Sequence, residues 1–194
     1  MNTIAYYNAN AQSFYERTIN TDLSHFHTKF LDFLPEKAHI LDAGCGSGRD
    51  TKYFQSQEHT VTAFDASEEM VRISTKETNQ QTKLLKFQSL NFKEEFDGVW
   101  ANASLLHIPY EEIQDVYGRI YNALKPGGIF YGSYKYGEGH MSVKGREFYN
   151  MNEETVLPYL EDLFEVIEIC QTEDTRSQVA PSPDNAWLNF IVRK

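Results

Sequence analysis

The stretch ILDAGCGSGRD, residues 40–50, sets an acid, Asp42, directly before glycines at 44, 46 and 48. Glycines leave bare backbone for a ligand to lie against. The N–H groups at the head of a following helix favour an anionic group. An acid before that cradle is out of place beside a pyrophosphate. It suits a ligand that carries an ammonium and a carboxylate together. Asp42 would accept from the ammonium side, directly or through water, and loop N–H groups would take the carboxylate. Asp65 closes the next apolar stretch, TVTAFD. A carboxylate there can accept from both hydroxyls of a ribose in a forked geometry; its other reading is a cap for the helix beginning near Ser67.

Further along, His107 in ASLLHIP is the best general-base candidate, because imidazole titrates near neutrality. The competing role for it is bracing the loop before Pro109. Arg146 offers a bidentate fork for a carboxylate or oxyanion, or else a surface ion pair. It is expected in a loop after the fifth strand, where Lys135 would contribute to the same anion site. Rings at Tyr6 and Tyr7, just before a helix, would meet a cationic ligand by cation–π contact or simply pack. His25 and His27 stand two apart on an expected helix and point to different faces, so they make a poor metal pair. No metal is expected. Cys45 and Cys170 read as two buried, reduced thiols, which fits a cytoplasm.

These groups need a frame, and the apolar pattern supplies one. Helices are expected over 8–18, 21–34, 50–57, 67–78, 110–124 and 152–163. Strands are expected over 38–42, 60–65, 83–87, 96–101, 129–134, 164–169 and 187–192. KPGG at 125–128 reads as a turn. Strands alternating with helices imply a parallel sheet with strand-end acids at the ligand crevice. The last two strands are joined by a polar stretch, 171–185, so they should pair antiparallel. Trp187 would anchor the last strand in the core.

The chain has 194 residues, 41% of them hydrophobic, which suits one domain of a globular protein. Eighteen basic against 28 acidic residues give a net charge of −10, and the basic ones form no patch. Nucleic acid is therefore an unexpected partner. No apolar run approaches a membrane span, and the N-terminus lacks a signal-peptide pattern.

In order, ILDAGCGSGRD, FDAS, FDGVWANASLLHIP and LKPGGIFYGSYK resemble the signature blocks of class I S-adenosylmethionine-dependent methyltransferases. WANASLLH and the later GREF are similar to small bacterial enzymes related to the tellurite-resistance type. The resemblance implies an α/β, Rossmann-like doubly wound sheet of seven strands, order 3-2-1-4-5-7-6, last strand antiparallel, with helices on both faces. It implies one methyltransferase domain over 1–194, with 1–34 as a helical cap and 35–194 as the core. The cofactor would be S-adenosylmethionine, and the acceptor a small molecule. Cofactor contacts would come from Asp42, Gly44, Cys45, Gly46, Gly48 and Arg49. Asp65 and Ala66, Ser89 and Leu90, and Ala101 and Asn102 would complete them. His107 and Arg146 would serve catalysis, and Tyr6, Tyr7, Lys135 and Trp187 would face the acceptor. Relatives often carry an acid after the third strand near the adenine amine; here that stretch is QSLN, residues 88–91, where Gln88 or the backbone of Ser89 and Leu90 would serve instead. A nicotinamide-dependent oxidoreductase and a non-catalytic binder of the cofactor are the alternatives. The G-x-G-x-G spacing opposes the first.

Overall fold

The computed structural model describes residues 2–174 and 185–194. Most of the expected 171–185 connection lies outside the described residues. Chain order begins with helices α1 (Thr3–Thr18) and α2 (Ser24–Leu31), then β1 (His39–Ala43), α3 (Arg49–Ser56), β2 (Thr60–Asp65) and α4 (Glu68–Thr78). It continues with β3 (Lys83–Leu84), β4 (Phe96–Ala101), α5 (Tyr110–Ala123) and β5 (Leu124–Lys135). A hairpin of β6 (His140–Val143) and β7 (Arg146–Tyr149) precedes α6 (Glu153–Glu161), β8 (Glu165–Glu173) and β9 (Ala186–Arg193).

The main sheet has seven strands in the order β3-β2-β1-β4-β5-β9-β8, with β9 antiparallel to both neighbours. This is the expected Rossmann-like order, shifted in number only by the hairpin. Buried side chains fill both faces. On one side, Ile113, Val116, Tyr117 and Ile120 of α5 form a helical stripe against Phe130 and Phe190. On the other, Phe30 of α2 and Phe54 of α3 pack around Trp100, whose ring stacks on Tyr131 at 3.9 Å. Sheets covered on both faces bury both sides of their strands, as in β1, where Ile40 to Ala43 are all buried, Asp42 included.

Several expectations change. Helix α1 begins at Thr3, because the Asn2 side chain caps it by accepting from the Ala5 N–H; Tyr6 and Tyr7 lie inside it. Helix α2 is shorter than 21–34. Strand β3 has two residues, and 87–89 turn as a 3-10 helix instead. KPGG is not a separate turn but an irregular start to β5, where pairing skips from Phe96–Leu124 to Gly98–Ile129. The segment carrying Arg146 is a hairpin strand rather than a loop. Cys45 and Cys170 are free but half-buried, and Trp187 is half-buried, packed against the edge of the core. No helix among the described residues is long and apolar enough to cross a membrane.

Close packing predicts opposite outcomes for two glycines. A Cβ on Gly132 would lie 2.3 Å from Phe190 Cζ, whereas nothing lies within 4 Å of one on Gly118 in α5. Gly132→Ala should cost about 1–3 kcal/mol by overpacking. Gly118→Ala should gain about 0.5–1 kcal/mol through helix propensity. Urea denaturation of both variants checks the pair.

Candidate active site

The C-terminal ends of β1, β2 and β4 open into a cavity of about 390 Å³. Asp42, Gly44, Cys45 and Gly46 line it from the glycine loop, and Asp65 and Ala66 from the end of β2. Helix α1 adds Tyr7 and Phe14, and Leu85 to Gln88 form a further wall. This size and mixed lining are ordinary for a small-molecule or cofactor site.

The glycines divide their work. A Cβ on Gly44 would sit 2.5 Å from Ser104 Cβ, and one on Gly48 would sit 2.7 Å from Ser74 Oγ. Those two let neighbouring segments close in, and Gly48 stays off the cavity wall. Gly46 is the open one, its nearest neighbour being Phe14 at 3.8 Å. The loop N–H groups are also largely committed. Gly44 and Cys45 donate to the Phe64 carbonyl, Gly48 to that of Cys45, and Gly46 to Asp65 Oδ2 at 2.9 Å. Ser47 and Arg49, at the head of α3, remain to meet an anionic group.

Asp65 also accepts from the Ser67 N–H at 2.8 Å, while Ser67 itself caps α4. Burial pushes the Asp65 carboxyl up, and the N–H groups of Ser67, Gly46 and Ala66 offset part of this. Burial likewise holds the Cys45 thiol protonated, well above its ordinary value.

Beneath the loop lie two carboxylates in unlike surroundings. Asp50 accepts from Arg49 Nε at 2.8 Å and Nη2 at 2.9 Å, from His27 Nε2 at 3.1 Å, and from Trp100 Nε1 at 2.9 Å. Asn102 Nδ2 approaches the same carboxylate at 3.4 Å. Burial opposes its charge, but Arg49 and the His27 and Arg49 hydrogen bonds hold Asp50 well below the usual carboxylate range. Asp42 receives the Thr51 hydroxyl at 2.5 Å. Burial first, and then the Asp50 charge, push the Asp42 carboxyl up to about 8.

His107 is enclosed. Its Nδ1 lies 2.6 Å from the Glu147 carbonyl, which can only accept, so Nδ1 donates. Nε2 is then the acceptor for the Tyr7 hydroxyl at 2.9 Å. Burial lowers His107 to about 4, partly opposed by the Glu147 bond and aided by the Arg146 charge. The ring is therefore neutral near pH 7. Burial raises the Tyr7 phenol, and Arg146 works against that shift. The Arg146 guanidinium lies 4.6 Å from the Tyr6 ring centre and 4.9 Å from that of Phe148, with Nε buried and unpartnered.

A second cavity, also about 390 Å³, shares Arg49, Asn102 and Ala103 with the first. Trp187, Tyr131 and Phe26 line it, and Lys135 Nζ lies 4.2 Å over the Trp187 ring while pairing with Asp174. Several expected contacts fall outside both walls. Ser89 and Leu90 follow the 3-10 turn away from the first cavity, and Ala101 is sealed within β4. Tyr6 and Arg146 stack outside the first cavity, behind Tyr7. Sequence reasoning missed the His27–Asp50–Trp100 cluster; Gln88, on the wall of the first cavity, donates to Glu112.

Residues 40–128 match the family described as "Methyltransferase domain". That stretch, just under half of the chain, is similar to a methyltransferase domain. A malonyl-[acyl-carrier protein] O-methyltransferase of Enterobacter lignolyticus is 30% identical over 98 residues, covering 47% of this chain and 37% of that protein. The chain thus spans well under half the length of that curated relative. Among solved structures, a Burkholderia thailandensis 1,6-didemethyltoxoflavin-N1-methyltransferase with bound S-adenosylhomocysteine aligns with TM-score 0.74 at 23% identity. That alignment covers 100% of this chain and 91% of the other. A Methanosarcina mazei methyltransferase gives TM-score 0.73 at 20% identity, covering 84% and 95%. At these identities the structures speak to the methyltransferase fold.

The raised Asp42 pKa carries a stability consequence. A carboxyl that is protonated when folded and ionised when unfolded loses stability as pH rises from about 4 to about 8. Asp42→Asn should flatten that decline by up to about 1.4 kcal/mol per pH unit. Urea unfolding at stepped pH measures it.

Proposed function

We propose that this protein transfers a methyl group from S-adenosylmethionine to a small-molecule acceptor. The observation that carries the reading is the pair of acids at the ends of β1 and β2, with the open Gly46 between them on one cavity wall. The residues fit the cofactor by donor chemistry. Asp42 takes the α-ammonium, the Ser47 and Arg49 N–H groups the carboxylate, and Asp65 the ribose hydroxyls. Phe87 and Gln88 border the adenine end; Gln88 is one of the residues expected there, whereas Ser89 and Leu90 are off the cavity wall. When bound, the cofactor supplies a methyl group on a positively charged sulfur, open to displacement in line.

The chain's own residues then hold the acceptor and manage its proton. Most of the rate comes from alignment. An acceptor that arrives protonated meets the Tyr7 hydroxyl, not His107 directly, because that hydroxyl occupies His107 Nε2. Tyr7 passes its proton to His107 as it takes one from the acceptor. Arg146, behind Tyr7, favours charge on the phenol oxygen. The second cavity, with Trp187 and Lys135 at its side, admits the acceptor toward Asn102 and Ala103. A likeness to the tellurite-resistance-related enzymes, a cytoplasmic site of action and no nucleic-acid partner complete the proposal. They rest on the GREF and WANASLLH motifs and on the acidic, patch-free composition.

Isothermal calorimetry with S-adenosylhomocysteine tests the cofactor assignment, and absence of binding to the folded protein ends it. Asp65→Ala should weaken that binding by at least about tenfold, given two lost charge-assisted bonds. Unchanged affinity would remove Asp65 from the ribose. A methyl-transfer screen over thiols, amines, carboxylates and metalloid oxyanions tests the acceptor class; no turnover with any of them counts against a small-molecule acceptor.

A further inference from the structure

Asp42 and Asp50 are 2% and 6% exposed, yet the protein satisfies only one of them as an anion. Asp50 has two bonds from the Arg49 fork and further donors in His27, Trp100 and Asn102. Asp42 meets Thr51 alone, through its hydroxyl and its backbone N–H. An ionised Asp42 would need a cation, and the nearest one is already committed, because Arg49 spends its fork on Asp50. A buried carboxylate without a cation is costly, and two adjacent ones are costlier, so one proton stays with the pair. The donor geometry says which oxygen atoms hold it: those of Asp42.

The other groups facing this carboxyl do not change that account. From α3 come Arg49 and Asp50, whose charges oppose each other. The loop contributes Cys45, a neutral thiol, and Asp65 stands across it at the end of β2. His27 of α2 touches the far side of Asp50, while Trp100 and Asn102 are uncharged. Among the described residues no fixed positive charge lies free beside Asp42. Asp42 nevertheless lines the cavity, beside Gly44 and Ser47. A ligand's ammonium arriving there brings both the missing charge and the missing donors.

We propose that docking of the cofactor's α-ammonium group against Asp42 expels the carboxyl proton to solvent, so that cofactor capture and release of one proton are a single linked step. The inference rests on the cofactor reading above. Only the Asp42 O–H bond breaks; the ammonium keeps its three hydrogens, and its positive charge is balanced locally by the Asp42 carboxylate left behind. Affinity for a ligand with the ammonium then rises with pH while Asp42 is protonated in the free protein, by up to about tenfold per pH unit. It levels off once Asp42 has ionised unaided.

Calorimetry at about pH 6.5 in buffers of low and high ionisation enthalpy, phosphate and imidazole, counts the protons released. S-adenosylhomocysteine should release about 0.5–1 proton per molecule bound. The probe 5′-methylthioadenosine, which keeps the adenosine and sulfur but lacks the amino-acid end, should bind with about none. Asp42→Asn should bind S-adenosylhomocysteine without proton release. If that variant binds too weakly to measure, the two-ligand comparison on the unaltered protein decides. Binding of S-adenosylhomocysteine with heats independent of buffer overturns the inference and leaves the cofactor reading intact. Equal proton release with both ligands also overturns it, since the proton would then come from the adenosine end. No binding of either ligand removes the cofactor reading and this inference together.

Discussion

The buried Asp50 carboxylate organises the centre of this molecule. Its oxygens join α2 through His27, the head of α3 through Arg49, β4 through Trp100 and the segment after β4 through Asn102. A charge taken out of water is stable only when its lone pairs are filled, and here the donors come from four places in the chain. The arrangement fixes Arg49 and Asn102, the two polar residues of the wall shared by both cavities. It also sets the electrostatic condition of Asp42 next door. Packing and site chemistry therefore meet in one carboxylate.

The roof is assembled differently. Helix α1 lies over the glycine loop, with Ala11 packed against Met70 and Ile73 of α4. Asn8 accepts from the Ser67 hydroxyl at 2.6 Å. Thr3 accepts from the Glu147 N–H at 3.0 Å, which ties the hairpin to the same helix. Helix α2, although next in sequence, belongs to the sheet core through Phe30. The roof is thus α1 with the β6–β7 hairpin.

The central fold was legible because its signals are local. An apolar run ending in an acid, then glycines, then an amphipathic stretch marks β1 to α3 without knowledge of anything distant. The same holds for the Ser67 cap and the α5 stripe. The hairpin was missed because its four-residue strands carry mixed side chains and four exposed or half-exposed faces. Its clue was Lys144-Gly145, both at positive φ, the two-residue turn that suits a hairpin. The Asp50 cluster was illegible for another reason: its partners are 23 and 50 positions away, and no local pattern announces such a meeting. Gly44 and Gly48 were read as ligand clearance, whereas their bare Cα atoms face Ser104 and Ser74. Spacing alone cannot say which neighbour uses the room.

The bond between Tyr7 and His107 spans 100 positions of chain, and the imidazole's other nitrogen leans on Glu147, whose N–H is held by Thr3. The Glu147 carbonyl decides which nitrogen of that ring carries its hydrogen, and the Tyr7 hydroxyl takes the nitrogen left over. The first two turns of the first helix thus fasten, from two sides, a tautomer that a hairpin strand selects, although they contribute nothing to the sheet beneath.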